Sequence, residues 1–210
     1  MLTVTEDMLL LTLQRDRGRI PAHSKVTLRH ALTGSALLDL ELTGRIDTDL
    51  EHLEAVDTTP TGKPFLDPVL EEIANSDKTR DIWGWLQTLA PEQGDEIRER
   101  TLASLVERDI LQHQPRGLFG PRYQRTGEAG ETDARERIAS TLFSEEDEIP
   151  DPQDIALICI ADACDLLHTL FRKKQLKRTA TRLQQLRKMD LVGGGTVAQL
   201  ALWNLEHSAL

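Results

Sequence analysis

The chain has 210 residues, with 25 Lys and Arg against 35 Asp and Glu, a formal net charge of −10 and a pI near 5.1. Hydrophobic residues at 39% and charged residues at 29% predict a soluble globular body able to bury a core without staples, and they exclude a disordered chain. The acidic balance argues against free nucleic-acid binding, and aromatics at only 4% leave the core to Leu, Ile, Val and Ala.

The opening stretch, MLTVTEDMLLLTLQ, carries acid where a secretory signal carries base, so no signal is expected. It reads as a helix over about 5–15, capped by Thr5, with Glu6 and Asp7 at its positive end and Met8, Leu9, Leu11 and Leu13 as its apolar body. RDRGRIP then turns the chain. A second helix is expected over 24–43, opened by Ser24 and closed by Gly44. Its second half, ALTGSALLDLEL, is apolar nearly all round, as in a buried central helix. Its first half differs: Lys25, Arg29 and Thr33 recur at four-residue spacing and share one stripe.

RIDTDLEHLEAVD reads as a small hairpin and TPTGKP as a turn. Helices are expected at about 65–75, 79–89 and 92–108. In DIWGWL, Trp83 and Trp85 are two apart and so face different ways on a helix, with Trp83 expected on the surface as an interfacial anchor. A hairpin follows, carrying Arg116, Arg122 and Arg125, then a helix near 133–143 and an acidic loop, SEEDEIPDP. A long apolar helix is expected at 154–171, a basic one at 172–188, a break at VGGG (192–195) and a last helix at 196–207. The sum is a mostly α protein: one compact helical domain over 1–210 with two small β-hairpins.

Asp162 and Asp165 interrupt the best apolar stretch, DIALICIADACDLLHTLF, so no segment is expected to span a bilayer, and any membrane contact is expected to be peripheral. Cys159 and Cys164 are five apart, a spacing that does not stack on a helix, and are expected as core thiols in a reducing compartment. No further His or Cys stands at zinc spacing, so no metal is expected. There is no phosphate loop, nucleophile elbow, His-Glu-x-x-His or dinucleotide fingerprint. His168 and Asp165 read as a hydrogen-bonded pair three apart on a helix face. The expectation is a non-enzyme with no catalytic residues and no cofactor.

A helix followed by a hairpin also suggests a winged helix, with 92–108 in the DNA groove. That helix carries Glu92, Asp95, Glu96, Glu99 and Glu107 against Arg98, Arg100 and Arg108, a net charge that phosphates repel. The positive field lies elsewhere. Arg172, Lys173, Lys174, Lys177, Arg178, Arg182, Arg187 and Lys188 fall in one acid-free run, leaving 17 bases against 35 acids in the rest of the chain. Such a run is either a solvated face paired with acids of the protein or a patch for anionic lipid or another polyanion.

Five segments, in order, resemble the Golgi phosphoprotein 3 family: LTVTEDMLLLTLQRDRGRI, ALTGSALLDLELTGRI, TPTGKPFLDPVLEEI, IRERTLASLVERDIL and PDPQDIALICIADACDLL. They span about residues 2–167, with a weaker match beyond, and Trp85 falls on the family's matching Trp, which implies a core position. The resemblance implies a mostly helical, peripheral membrane protein of the cytosolic face that recognises phosphatidylinositol 4-phosphate, acting in eukaryotic members as an adaptor for glycosyltransferase tails. It implies a prokaryote-like form without the basic N-terminal arm. The family's headgroup pocket of one Trp and three Arg aligns with Ser24, Thr33, Asp95 and Arg98, so one of four positions is kept. Lys25 and Arg29 stand beside the altered positions, and with Arg98 they are the expected headgroup site for phosphatidylinositol 4-phosphate or another anionic phospholipid. The hairpin is implied to be a contact element for self-association, with Leu118, Phe119 and Tyr123 as its apolar contacts. The alternatives are a soluble protein-interaction module of the same fold without lipid binding and, third, the winged-helix nucleic-acid binder.

Overall fold

The half of the second helix that is apolar all round lies at the centre of the molecule. In the computed structural model, which describes residues 2–13, 25–48, 52–117, 120–126, 134–144 and 150–192, helix α2 (Lys25–Leu42) is buried continuously from His30 to Leu40. Helices α1 (Val4–Thr12), α4 (Ile82–Glu107) and α6 (Pro152–Ala163) pack around it. One hydrophobic cluster runs from Leu2 to Leu186 and includes Met8, Leu37, Phe65, Trp85, Leu105 and Ile158. The architecture is mostly α: nine helices among the described residues and two antiparallel hairpins.

Asp39 is the charged exception on the buried half of α2, and it seats α1. Its carboxylate accepts hydrogen bonds from the N–H of Val4 (2.8 Å) and Thr5 (2.9 Å) and from the Thr5 hydroxyl (2.6 Å). These acceptor oxygens meet the unsatisfied first-turn N–H groups of a helix, while burial pushes the Asp39 carboxyl up against the pull of the Thr5 and Val4 hydrogen bonds. The helix begins earlier than the sequence suggests because Thr5 is committed to Asp39. Thr3 is the cap instead, in a capping box with Glu6.

The other end of α2 closes as expected. Gly44 takes the left-handed conformation (φ +65°), and the N–H groups of Gly44 and Arg45 return to Glu41 and Leu40. The chain then forms the hairpin β1 (Ile46–Thr48) and β2 (Leu53–Ala55), with Ile46 and Leu53 turned inward. Trp85 is core, as expected; its indole N–H reaches the Leu53 carbonyl (3.3 Å) and the Arg80 guanidinium covers its ring. Trp83 is half-buried against the same core rather than fully exposed.

After α3 (Asp67–Ala74), the structure departs from the two helices expected at 79–89 and 92–108. They are one 26-residue helix, α4, capped by Asp81, with Pro91 inside it. Proline removes one intrahelical hydrogen bond, but Leu89, Ala90, Gly94 and Ile97 on either side are buried and hold both halves in line. The long apolar helix departs in the opposite sense. It stops at Ala163, and α7 (Leu167–Leu170) follows after Asp165 turns left-handed at φ +57°. The N–H groups of Asp165 and Leu166 close onto Asp162 and Ala161, the same cap that Gly44 makes. Asp109 (φ +56°) ends α4 in the same way.

The second hairpin pairs β3 (Leu111–Gly117) with β4 (Gly120–Arg125), and α5 (Ala134–Phe143) follows. The basic run is two helices, α8 (Lys173–Arg178) and α9 (Ala180–Val192), divided at the buried Thr179. Of the expected break at 192–195, Val192 is still helical as the last residue of α9, while 193–195 and the last helix expected at 196–207 lie outside the described residues. Cys159 and Cys164 are buried and form no disulfide, with the Cys164 thiol pushed up to about 12 by burial. His168 Nε2 lies 3.4 Å from Asp165 Oδ1, across the left-handed turn rather than along one helix. No helix among the described residues is long and apolar enough to cross a membrane.

Candidate functional site

Close approach of α2 and α4 builds the corner that the sequence singled out. Gly94 faces α2 so tightly that a Cβ added there would stand 2.6 Å from the Arg29 Cβ and 3.0 Å from its Cα. Only glycine permits that spacing. Asp95 follows immediately, and Arg98 is three residues further along α4.

Two of the three expected headgroup residues, Arg29 and Arg98, contact Asp95, and the third, Lys25, acts on it through its field alone. Arg29 bonds the Asp95 carboxylate directly, and Arg98 Nη1 lies 3.4 Å from Asp95 Oδ1. The Arg29 hydrogen bond, with the fields of Arg98, Arg29 and Lys25, holds the Asp95 carboxyl below its ordinary range. Arg98 also contacts Glu99 at 3.3 Å, and Lys25 is exposed. The corner therefore carries three cations around one internal carboxylate, with a second carboxylate at its outer edge. Three buried polar atoms in this part of α2 and α4 lack a hydrogen-bond partner among the described residues: Arg29 Nε, Thr33 Oγ1 and Gln93 Oε1. Arg29 Nε is a donor with no acceptor, next to a cationic surface. Thr33 itself is wholly buried, one turn beyond Arg29, so it cannot meet a ligand at the surface. Ser24 lies outside the described residues.

Tyr123 on β4 is half-buried and stacked on His113 of β3 (ring centroids 5.0 Å apart). Burial pushes its phenol up, and Arg98 and Glu99 are close enough to act on it. The root of the hairpin is thus next to the cation corner, a proximity that nothing in the sequence signals. Leu118 and Phe119 lie outside the described residues.

The buried acids near the N-terminus are the functional-looking group that sequence reasoning took for helix-end charges. Glu6 is fully buried, with Arg108 Nη1 at 2.5 Å and Lys63 Nζ at 3.6 Å. Asp7 is bonded by Arg137, which also holds Asp154 at 2.8 Å. Burial lifts the Asp7 carboxyl to about 6 against the pull of Arg137. Each of these acids ties α1 to another part of the fold, and the arrangement is a structural one. No group of three or more His, Cys, Asp or Glu side chains among the described residues is placed to hold a metal.

On the far side of α6, the basic run is mostly unanswered. Arg187 binds Asp162 (2.8 Å), and Arg182 reaches the Thr141 carbonyl (3.4 Å). Arg172, Lys173, Lys174, Lys177 and Arg178 are exposed and form no ion pair among the described residues.

A family model described as Golgi phosphoprotein 3 (GPP34) matches residues 4–201 of the chain. No curated protein matches it.

Proposed function

The chain belongs to the Golgi phosphoprotein 3 family, and from that premise we propose that it is a non-enzymatic, adaptor-like protein that docks peripherally on the anionic cytosolic face of a membrane. The observation that carries this reading is the convergence of Lys25, Arg29 and Arg98 at one corner of the α2–α4 seam. The ligand class is an anionic phospholipid headgroup, with phosphatidylinositol 4-phosphate as the family's expectation. Asp95 competes for the same cations, so affinity is lower than for an unoccupied basic pocket. The helix that a winged-helix reading would send into DNA is unsuited to it: α4 packs one face on α2 and exposes Glu92, Glu96, Glu99 and Glu107 on the other.

Vesicle flotation tests the reading. Wild type is expected to float with vesicles containing phosphatidylinositol 4-phosphate, and the Lys25→Ala/Arg29→Ala/Arg98→Ala variant to remain behind in larger part. Equal flotation of the two removes these residues from the site.

A second reading rests on the β3–β4 hairpin. It is a two-stranded ribbon whose Gln112, His113, Gln114, Gln124 and Arg125 are exposed, so it offers strand edges for another chain to pair with. On this reading the protein is an interaction module that self-associates through Leu118, Phe119 and Tyr123. Sedimentation of wild type against Tyr123→Ala tests it, with loss of a concentration-dependent oligomer as the expected result.

A further inference from the structure

Helix α8 is the most one-sided charge feature of the described fold. No acid occurs in the sequence between Asp165 and Asp190. Leu176 anchors α8 to the core and Thr179 is buried behind it, while Arg172, Lys173, Lys174, Lys177 and Arg178 all face outward. Arg172, Lys174, Gln175 and Arg178 line a shallow groove of ≈ 330 Å³.

An aromatic edge borders this face. Phe171, directly before Arg172, is buried and meets Phe143 edge to face at 5.3 Å, and Phe143 itself is 37% exposed. A ring at the margin of a cationic surface suits the headgroup level of a bilayer, where apolar bodies enter and Lys side chains stay in water. The rest of the chain beyond these five residues, 20 bases against 35 acids, is net acidic, disfavours approach to an anionic surface by most other faces and so favours α8 foremost. Nucleic acid fits less well: the face has no row of aromatic platforms for bases, and the acids elsewhere oppose a polyanion that wraps.

We propose that α8, together with Phe143, is a second docking surface, for an anionic lipid bilayer. It grips by field through Arg172, Lys173, Lys174, Lys177 and Arg178 and by insertion of the Phe143 ring. It goes beyond the headgroup site above and does not depend on it.

Flotation with vesicles of phosphatidylcholine containing roughly one-quarter phosphatidylserine tests the surface without phosphoinositide. The Lys173→Gln/Lys174→Gln/Lys177→Gln/Arg178→Gln variant is expected to partition at least about tenfold more weakly than wild type, and Phe143→Ala roughly threefold more weakly. A Lys173→Arg/Lys174→Arg/Lys177→Arg variant keeps wild-type binding, which separates charge from fold, and the Lys25/Arg29/Arg98 triple alanine keeps most of it. The inference is overturned by wild type that stays soluble with these vesicles. It is equally overturned if the glutamine variant, folded by circular dichroism, floats like wild type, or if the triple alanine alone abolishes flotation. Tighter binding to duplex DNA or RNA than to the vesicles assigns the face to nucleic acid and also overturns it.

Discussion

Asp95 is bonded by Arg29 and lies 3.4 Å from Arg98, so an incoming phosphate meets a carboxylate already in place. Replacing it with a neutral isostere should free both guanidinium groups. Asp95→Asn is expected to bind anionic vesicles roughly threefold to tenfold more tightly than wild type, with a loss of stability of no more than about 1 kcal/mol for a half-exposed pair. Unchanged or weaker vesicle binding in that variant, read by flotation, rejects Asp95 as a competitor. Asp7 illustrates the opposite electrostatic sign. Its folded carboxyl titrates near 6 against 3.8 for the free group, so its contribution to stability is fully present below the unfolded value and is lost as pH rises through about 6. Relative to Asp7→Asn, wild type should therefore gain about 1–2 kcal/mol of unfolding free energy between pH 7.5 and pH 5. Urea titrations of both proteins at the two pH values measure this, and a constant difference contradicts it. The stripe of Lys25 and Arg29 was legible in the sequence because helical spacing is a local property. The burial of Glu6 and Asp7 was not, because Arg108 and Arg137, which make it tolerable, come 102 and 130 residues later.

The seam between α2 and α4 depends on Gly94, which lets the Arg29 backbone approach within van der Waals contact. Gly94→Ala is expected to push the helices apart, cost roughly 1–3 kcal/mol and disperse the three cations. Thermal unfolding and flotation of this variant should therefore fall together. Asp109 and Asp165 each hold a left-handed helix end that glycine adopts without strain. Asp165→Gly is expected to raise stability by roughly 0.5–1 kcal/mol, visible as a higher urea midpoint with an unchanged slope. A lower midpoint means that the Asp165 side chain, near His168, contributes more than its backbone costs. These ends also mark where element boundaries escaped the sequence. Gly44 announces its cap by residue type, and the structure agrees. Asp165 sits inside an apolar run whose pattern continues, so 154–171 reads as one helix although it is two. Pro91 misleads the other way, since burial on both sides outweighs one missing hydrogen bond.

The mostly helical class, the buried centre of α2 and both hairpins follow from patterns of apolar and turn residues that any one segment displays, whereas the core position of Trp85 followed from the family resemblance. The reach of the Arg98 field to Tyr123 does not, because it depends on where the hairpin lies relative to α4. At the scale of the molecule, charge is sorted rather than balanced: an acidic body carries one cationic corner and one cationic helix. On the proposed docking, such a body would be held on an anionic surface by screened fields, and its binding should weaken as the Debye length shrinks from about 10 Å at 0.1 M salt to about 3 Å at 1 M. The most direct measurement is co-flotation of the wild-type protein with anionic and with neutral vesicles across that range of salt. The protein should travel with the anionic vesicles at low salt, leave them at high salt and ignore neutral ones throughout. Protein that stays in the soluble fraction at low salt, whatever anionic lipid is offered, contradicts membrane docking.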